Sequence, residues 1–475
     1  MRYRIPRLEL FDEHGIDSQT VKALKLAILA VAFGIVNFNI LNGIAMAGYL
    51  RELGASDFVF GLLFAIGPMA SPMQLVAAYV LERTRKRKAI FLSFGLVQRF
   101  VWLPFGLVPF FVPLDHSNPQ MRIIIAAVFM VISAFTVPFM NVSFHSWAAD
   151  SVPPHIRGRY FAVRSRIFTI FGVAGGFLTA WLLDSFTGYN SFALVFALAA
   201  VMGMMDIACF IWVKFPPMPP PIEQGEKFTH MLGTALKNKP YMRFIAFMTI
   251  WMFSVNLSTP FILVHLREGV LLSNTLITFL IQILPNICSI MILTYWGRTI
   301  DTHGNKTVMQ VANGLLCIAP FFWIFTTNNI ISIVLIALVG LSQGLLLPGF
   351  DLGVNNMMLG HAPKENRSMY FAMYFMFTSI IGIGLANATG GWLLDNVFSI
   401  FETMELSVFS VVLTRYSFIF GLTAILRCLV VYVALPRMLH EENNTPVRQM
   451  LHHTYNGIRR MLARRRRGIR FRKRR

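Results

Sequence analysis

The sequence predicts an all-α membrane protein with twelve transmembrane helices in two parallel six-helix halves, and three observations carry that prediction. At 56% hydrophobic and 13% charged residues, with 44 Phe and 26 Met among 475 and a mean hydropathy of +0.60, the composition lies far from that of soluble domains. The apolar residues fall in long uninterrupted runs. A bilayer core takes about 20 apolar residues per helix, only helices or closed barrels satisfy the backbone there, and barrel strands would alternate. The third observation is a duplication.

The stretch from Val152 to Asp184 returns as Ala362 to Asp395. Pro153 matches Pro363, Arg157 matches Arg367, and Tyr160-Phe161-Ala162 matches Tyr370-Phe371-Ala372. Trp181-Leu-Leu-Asp184 matches Trp392-Leu-Leu-Asp395, with spacings of 210 and then 211. Tyr49-Leu-Arg51-Glu52 recurs as His265-Leu-Arg267-Glu268, Ser56-Asp57 as Ser273-Asn274, Pro68 as Pro285 and Pro138 as Pro348. Two copies in the same order mean two homologous halves running in the same direction.

Residues 1–22 open with Arg2, Arg4 and Arg7 followed by acids, and form a polar N-terminal segment. The first apolar run is too long for a signal peptide, so no cleavage is expected. Helices are predicted near 23–49, 58–81, 89–113, 121–148, 160–183 and 191–213, then near 242–265, 274–296, 307–326, 331–358, 369–394 and 413–435. The first half spans 23–214 and the second 242–436, with a linker over 215–241 whose PPMPPPIEQGEK run is too polar to span. A tail follows over 437–475. The loops after helices 2 and 4 hold Arg83, Arg85, Lys86, Arg87, Lys88, Arg157 and Arg159, and the linker holds Lys214, Lys227, Lys237 and Lys239. By the positive-inside rule these face the cytoplasm, and an even helix count places both termini there, in a cell membrane. Cys209, Cys288, Cys317 and Cys428 lie inside predicted helices without metal-ligand spacing and read as packing residues.

The loop Gly297-Arg-Thr-Ile-Asp301-Thr-His-Gly304-Asn-Lys306 resembles the G-x-x-x-D-x-x-G-x-K/R motif of the major facilitator superfamily. Its first-half partner, Ala78 to Lys88, is a degraded copy: Glu82 stands for the acid and Arg83 for the base after it, while Ala78 and Arg85 replace both glycines. The resemblance extends over about residues 20 to 436. It implies the major facilitator fold and transport of a small molecule by rocking of the halves about a central site, with helices 1, 4, 7 and 10 lining the cavity and 3, 6, 9 and 12 as scaffold. It also implies a gate in which the motif acids latch the cytoplasmic side. Here that gate comprises Glu82 and Arg83 with Asp150, and Gly297, Asp301 and Gly304 with Arg298 or Lys306.

Intramembrane polar residues concentrate on the four helices that the resemblance assigns to the cavity. The candidates for substrate binding are Asn39, Asn141, His145, Asn256, Asp351 and Asn355. Asn141 and His145 stand four apart on one helical face, and the repeat offset maps them onto Asp351 and Asn355. Unpaired polar groups are costly in hydrocarbon, so these meet substrate, water or one another across helices. Asp351 is the one acid well inside a cavity-type helix. A carboxylate there can bind and release a proton as access alternates, which makes it the candidate proton-coupling residue; the other reading pairs it permanently with Arg164 or Arg166. Arg99 and Asp206, at similar depth on helices 3 and 6, read as a structural ion pair, and Arg427 as a snorkelling cation.

No phosphate loop, no catalytic triad and no zinc constellation appears, so neither an ATP-driven pump nor an enzyme is expected, and no cofactor. A secondary active transporter of a small polar solute is the leading reading; a lipid flippase or scramblase on the same fold and a non-transporting membrane sensor are the alternatives. From Arg437 onward the tail holds 13 Arg and Lys against two Glu, +11 of the total +20. Val447, Met450, Leu451, Ile458, Met461 and Leu462 share a helical face, which predicts an amphipathic helix on anionic lipid headgroups. A disordered anchor and an RNA-binding arm are the other readings of that tail. The bilayer and a small-molecule substrate are then the main partners, and the protein is expected to be a monomer.

Overall fold

The computed structural model describes residues 17–112, 119–153, 156–218, 236–361, 367–402 and 411–438, with isolated positions at 233, 407–408, 446–447 and 449. Twelve helices are long and apolar enough to cross a membrane. We number them α1 (Ser18–Glu52), α2 (Asp57–Thr84), α3 (Arg87–Phe111), α4 (Gln120–Ser151), α5 (Arg159–Ser185), α6 (Tyr189–Trp212), α7 (Lys239–Gly269), α8 (Asn274–His303), α9 (Asn305–Ile324), α10 (Ile330–Gly360), α11 (Tyr370–Asn396) and α12 (Arg415–Arg437). Each overlaps one predicted segment. A two-residue antiparallel ladder, Ser407–Val408 against Val411–Val412, lies between α11 and α12. Most of the predicted tail helix and of the linker lies outside the described residues.

The duplication is repeated in the packing. In the first half α1 packs on α5 and α6, α3 on α4 and α6, and α2 on α4; in the second, α7 packs on α11 and α12, α9 on α10 and α12, and α8 on α10. Between halves, α2 meets α11 and α5 meets α8, so the two crossings are equivalent under the same twofold. The helices are not straight. Gly43 interrupts α1 at an extended φ of −109° and ψ of −159°, and Pro68 and Pro72 bend α2. Single π-helical turns occur at His265–Gly269, Phe279–Ile283, Thr378–Leu385 and Val430–Ala434, all in the second half. Such turns break the i to i+4 ladder locally and recur at functional sites.

One end of the bundle carries the linker and the basic loops, and we call it the linker end. There Gly304 ends α8 with a φ of 84°, the left-handed turn that glycine favours. Arg85, at the corresponding place after α2, also has a positive φ, 59°, without being glycine, but its ψ of 8° is that of a left-handed helical turn whereas Gly304 has a ψ of 160°. The degraded motif thus keeps a positive φ at this position but not the same turn, at a backbone cost of about 1–3 kcal/mol for the arginine.

Candidate functional site

At the opposite, distal end the halves are held together by reciprocal contacts. Ser56 caps α2 through the amide of Val59 at 3.3 Å, and Ser273 caps α8 through that of Leu276 at 3.3 Å. A helix start leaves four amide donors without partners, and here the opposite half supplies acceptors for the first two. Asp395, ending α11, accepts from the amides of Asp57 at 3.3 Å and Phe58 at 2.8 Å. Asp184, ending α5, accepts from the amides of Asn274 at 2.9 Å and Thr275 at 2.8 Å, and from the Asn274 side chain at 2.8 Å. A carboxylate at a helix N-terminus also gains from the helix dipole.

The two Arg-Glu echoes are exchanged in the same way. Arg51 reaches Glu268 of the second half at 3.2 Å, and Arg267 reaches Glu52 of the first at 3.3 Å. Asp57, fully buried, gathers Arg51 at 2.5 Å, Arg415 of α12 at 3.1 Å and the Tyr416 hydroxyl at 3.2 Å. Deeper along the same seam Asn387 of α11 donates to the Phe64 carbonyl of α2 at 3.3 Å. Gly61 and Gly391 let these helices approach: a methyl group on Gly61 would meet the Asn387 carbonyl, and one on Gly391 the Asp57 carbonyl. Every hydrogen bond and ion pair joining the halves between described residues lies towards the distal end.

Below this seal lies a cavity of about 660 Å³. It is formed by the first half, with Ser379 of α11 as the only second-half residue in its wall among the described residues. Its polar lining from the first half is Asn37, Asn42, Ser71, Gln74, Gln98, Arg99, Ser133, Asn141, Arg164 and Asp206. Arg99 and Asp206 pair at 2.6 Å, and Asn37 joins them: its amide oxygen accepts from Arg99 at 2.5 Å while its amide nitrogen donates to the Ala199 carbonyl at 2.8 Å. So α3 and α6, which the resemblance assigned to the scaffold, bring a charged cluster to the cavity. Gly203 makes room for it, because a methyl group there would press on the Arg99 side chain.

The other candidates are dispersed. Asn141 lines the cavity, whereas His145 on the same helix does not and turns an exposed ring edge-on to Phe144. Asn39 donates to the Gly172 carbonyl of α5 at 2.7 Å, which makes it a helix-to-helix bond. Asn256 donates to Met252 within its own helix at 2.8 Å. Asp351 and Asn355 line a separate groove between α8 and α10, where the Asn355 amide donates to the Asp351 backbone carbonyl at 2.9 Å. The Asp351 carboxylate makes no ion pair or hydrogen bond among the described residues, so neither Arg164 nor Arg166 holds it; Arg164 lies instead over the Phe144 ring at 5.1 Å. Asn141 and the Asp351–Asn355 pair thus line separate cavities.

At the linker end the first-half gate is rearranged. Asp150 pairs at 2.6 Å with Arg87, not Arg83, because Arg87 opens α3 and also donates to Ser146 at 3.0 Å and to the Pro216 carbonyl. Arg83 donates to the Tyr79 hydroxyl one turn earlier at 3.0 Å, and Glu82 pairs with Arg85 at 3.7 Å. Asp301 has no ion-pair partner among the described residues, and Lys306 donates to the Pro436 carbonyl at 3.1 Å, tying α9 to the end of α12. Arg427, expected to snorkel, turns onto the Val255 carbonyl of α7 at 3.5 Å. The four cysteines are free, Cys209 and Cys317 buried and the others half-buried. No cluster that could hold a metal ion is present among the described residues.

The distal acids were the signal that sequence reading passed over. A repeated acid ending one helix and a repeated Ser opening another, both at one membrane face, were each visible as echoes.

The sequence matches the family model of the Major Facilitator Superfamily over residues 26–290 and 241–468. The chain belongs to that superfamily. No curated protein matches it. Among solved structures the chain is similar to a variant of the nucleoside transporter NupG, at 13% identity and a TM-score of 0.65 over 88% of this chain and 100% of that one. It is similar to a bacterial homolog of the human lysosomal transporter Spinster, inward-facing and unoccupied, at 12% identity and 0.65 over 91% and 100%. A bacterial homologue of the iron transporter ferroportin, inward-facing, gives 13% identity and 0.67 over 88% and 98%. At these identities the likeness shows the fold. This superfamily member is a multi-pass membrane protein and a transporter, not an enzyme.

Proposed function

We propose that the protein is a secondary active transporter that moves a small polar solute by alternating access, with residues 23–214 and 242–436 rocking as two bodies about the linker 215–241. The carrying observation is the asymmetry of the seam: reciprocal caps and ion pairs bind the halves at the distal end, while no described bond joins them at the linker end. In this reading the linker end, which carries the basic loops, faces the cytoplasm, both termini lie inside a cell membrane, and the structure is the inward-facing state. The solved relatives described as inward-facing support the same reading.

In this reading Asn141 and the Arg99–Asp206 cluster face the solute, Asp351 carries the coupling proton, and Arg87–Asp150 with the Asp301 loop steadies the cytoplasmic gate. The protein works as a monomer, with its basic tail on anionic headgroups. The test is a cysteine-free protein carrying Val137→Cys in the cavity wall, labelled with a membrane-impermeant thiol reagent in oriented vesicles. Reaction should occur mainly from the linker side and move to the distal side when the distal seal is weakened. A site reached from neither side, or from both at once, overturns the proposal.

A further inference from the structure

The first-half cavity has more donors than acceptors. Arg99 spends its two terminal nitrogens on Asn37 and Asp206 and keeps a buried Nε without a partner. Arg164 forms no hydrogen bond or ion pair among the described residues; it lies on the Phe144 face, and its own Nε is likewise unpartnered. The Trp102 indole N–H, also in the cavity wall, is buried without an acceptor. Against these stand two unpartnered groups of the wall that can accept, the Gln98 carbonyl oxygen and the Ser71 hydroxyl. Two guanidinium groups and one carboxylate leave one uncompensated positive charge in the lining. A cation removed from bulk water needs a counter-charge, and a planar guanidinium binds a carboxylate through two parallel N–H bonds.

Most of the remaining wall is apolar, with Phe144 under Arg164 and Phe168 one turn further along α5, and the volume lies in the usual range for small-molecule sites, about 300–1,000 Å³. We propose that the solute is a small organic acid of single negative charge on an apolar or aromatic body, its carboxylate held by Arg164 and its body against Phe144 and Phe168. The inference rests on this cavity being the transport site. The same chemistry could come from an anionic lipid headgroup, and the experiment separates the two.

The full-length protein is placed in nanodiscs of phosphatidylcholine, and its melting temperature is followed with benzoate, benzamide and benzylamine as probes of one shape and three charges. Benzoate should raise the melting temperature with a saturable dependence, and neither of the others should do so at the same concentration. Arg164→Gln should weaken the benzoate response at least tenfold, and Arg164→Lys should retain part of it, which keeps the outcome readable should the Gln variant fold poorly. An equal response to benzamide, a stronger one to benzylamine, no response to benzoate, or a response unchanged in Arg164→Gln overturns the proposal. Discs containing phosphatidylglycerol form the second arm. A stabilisation by that lipid which depends on Arg164 and abolishes the benzoate response assigns the site to a headgroup and overturns the soluble acid. If benzoate behaves as proposed while the Val137→Cys site never changes sides, transport by alternating access fails and the acid site stands; the converse result removes the acid and leaves the transporter.

Discussion

Asp395 accepts the backbone amide of Phe58 at 2.8 Å across the interface between the halves, and Asp184 accepts that of Thr275 at 2.8 Å in the equivalent place. Each carboxylate completes a helix start that belongs to the other half. These bonds exist only when the distal ends are together, so their free energy belongs to one conformation and sets its population.

Asp184→Ala and Asp395→Ala should each therefore shift the protein towards the distally open state. Loss of a helix cap costs about 1 kcal/mol, which corresponds to about fivefold in the conformational equilibrium. The labelling rate of Val137→Cys from the distal side should rise by about that factor for each change, by similar amounts because the two sites are equivalent. Unchanged distal labelling in the double variant would show that the caps do not govern the gate.

Arg87 is 2% exposed while Asp150 is 36% exposed at the side chain. Removing the acid strands a buried cation that keeps Ser146 and the Pro216 carbonyl, and the solvent at Asp150 lowers the loss below the 3–5 kcal/mol of a fully buried pair, to about 1–2 kcal/mol. Asp150→Asn should lower the melting temperature measurably, whereas Arg83→Ala should leave it within error. The opposite ranking would restore Arg83 as the partner.

Which parts of this were legible in the sequence follows from what a linear repeat can carry. The matches from Tyr160 to Asp184 and from Tyr370 to Asp395, with the apolar runs, yielded the twelve helices and their parallel halves. Arg99 and Asp206 could be placed at one depth by counting residues, but not beside Asn37, since the rotation of a helix about its axis is set by packing against neighbours. For the same reason Asn39 turned out to serve α5. At the gate the run Arg83-Thr-Arg-Lys-Arg87-Lys88 offered several cations of equal standing, and only the start of α3 at Arg87 decides which one meets Asp150.

The Arg99–Asp206 pair can be weighed by a double-mutant cycle. Asp206→Asn leaves a buried guanidinium without its counter-charge, and such a change costs about 3 kcal/mol or more, while replacing both partners by apolar residues costs less. The melting temperature of Asp206→Asn should thus fall below that of the Arg99→Met, Asp206→Leu double variant. A single change as mild as the double one would mean that the pair is not a unit of stability.

Asp351 stands apart from every ion pair among the described residues, in a groove whose other polar residues, Gln282, Asn286, Ser289, Gln343 and Asn355, do not titrate. A carboxylate with no fixed partner is free to exchange its proton when the groove is hydrated and to lose that exchange when the halves close over it. If that exchange is linked to the conformational change, the distal labelling rate of Val137→Cys should vary between pH 5 and 8 in the parent protein. It should be flat in Asp351→Asn, because the amide keeps the size and hydrogen-bonding capacity of the acid but cannot ionise. His145, the titratable side chain near Asn141 on α4, provides the control, and His145→Gln should leave the pH dependence intact. A pH profile that survives Asp351→Asn and disappears in His145→Gln would move the coupling from α10 to α4.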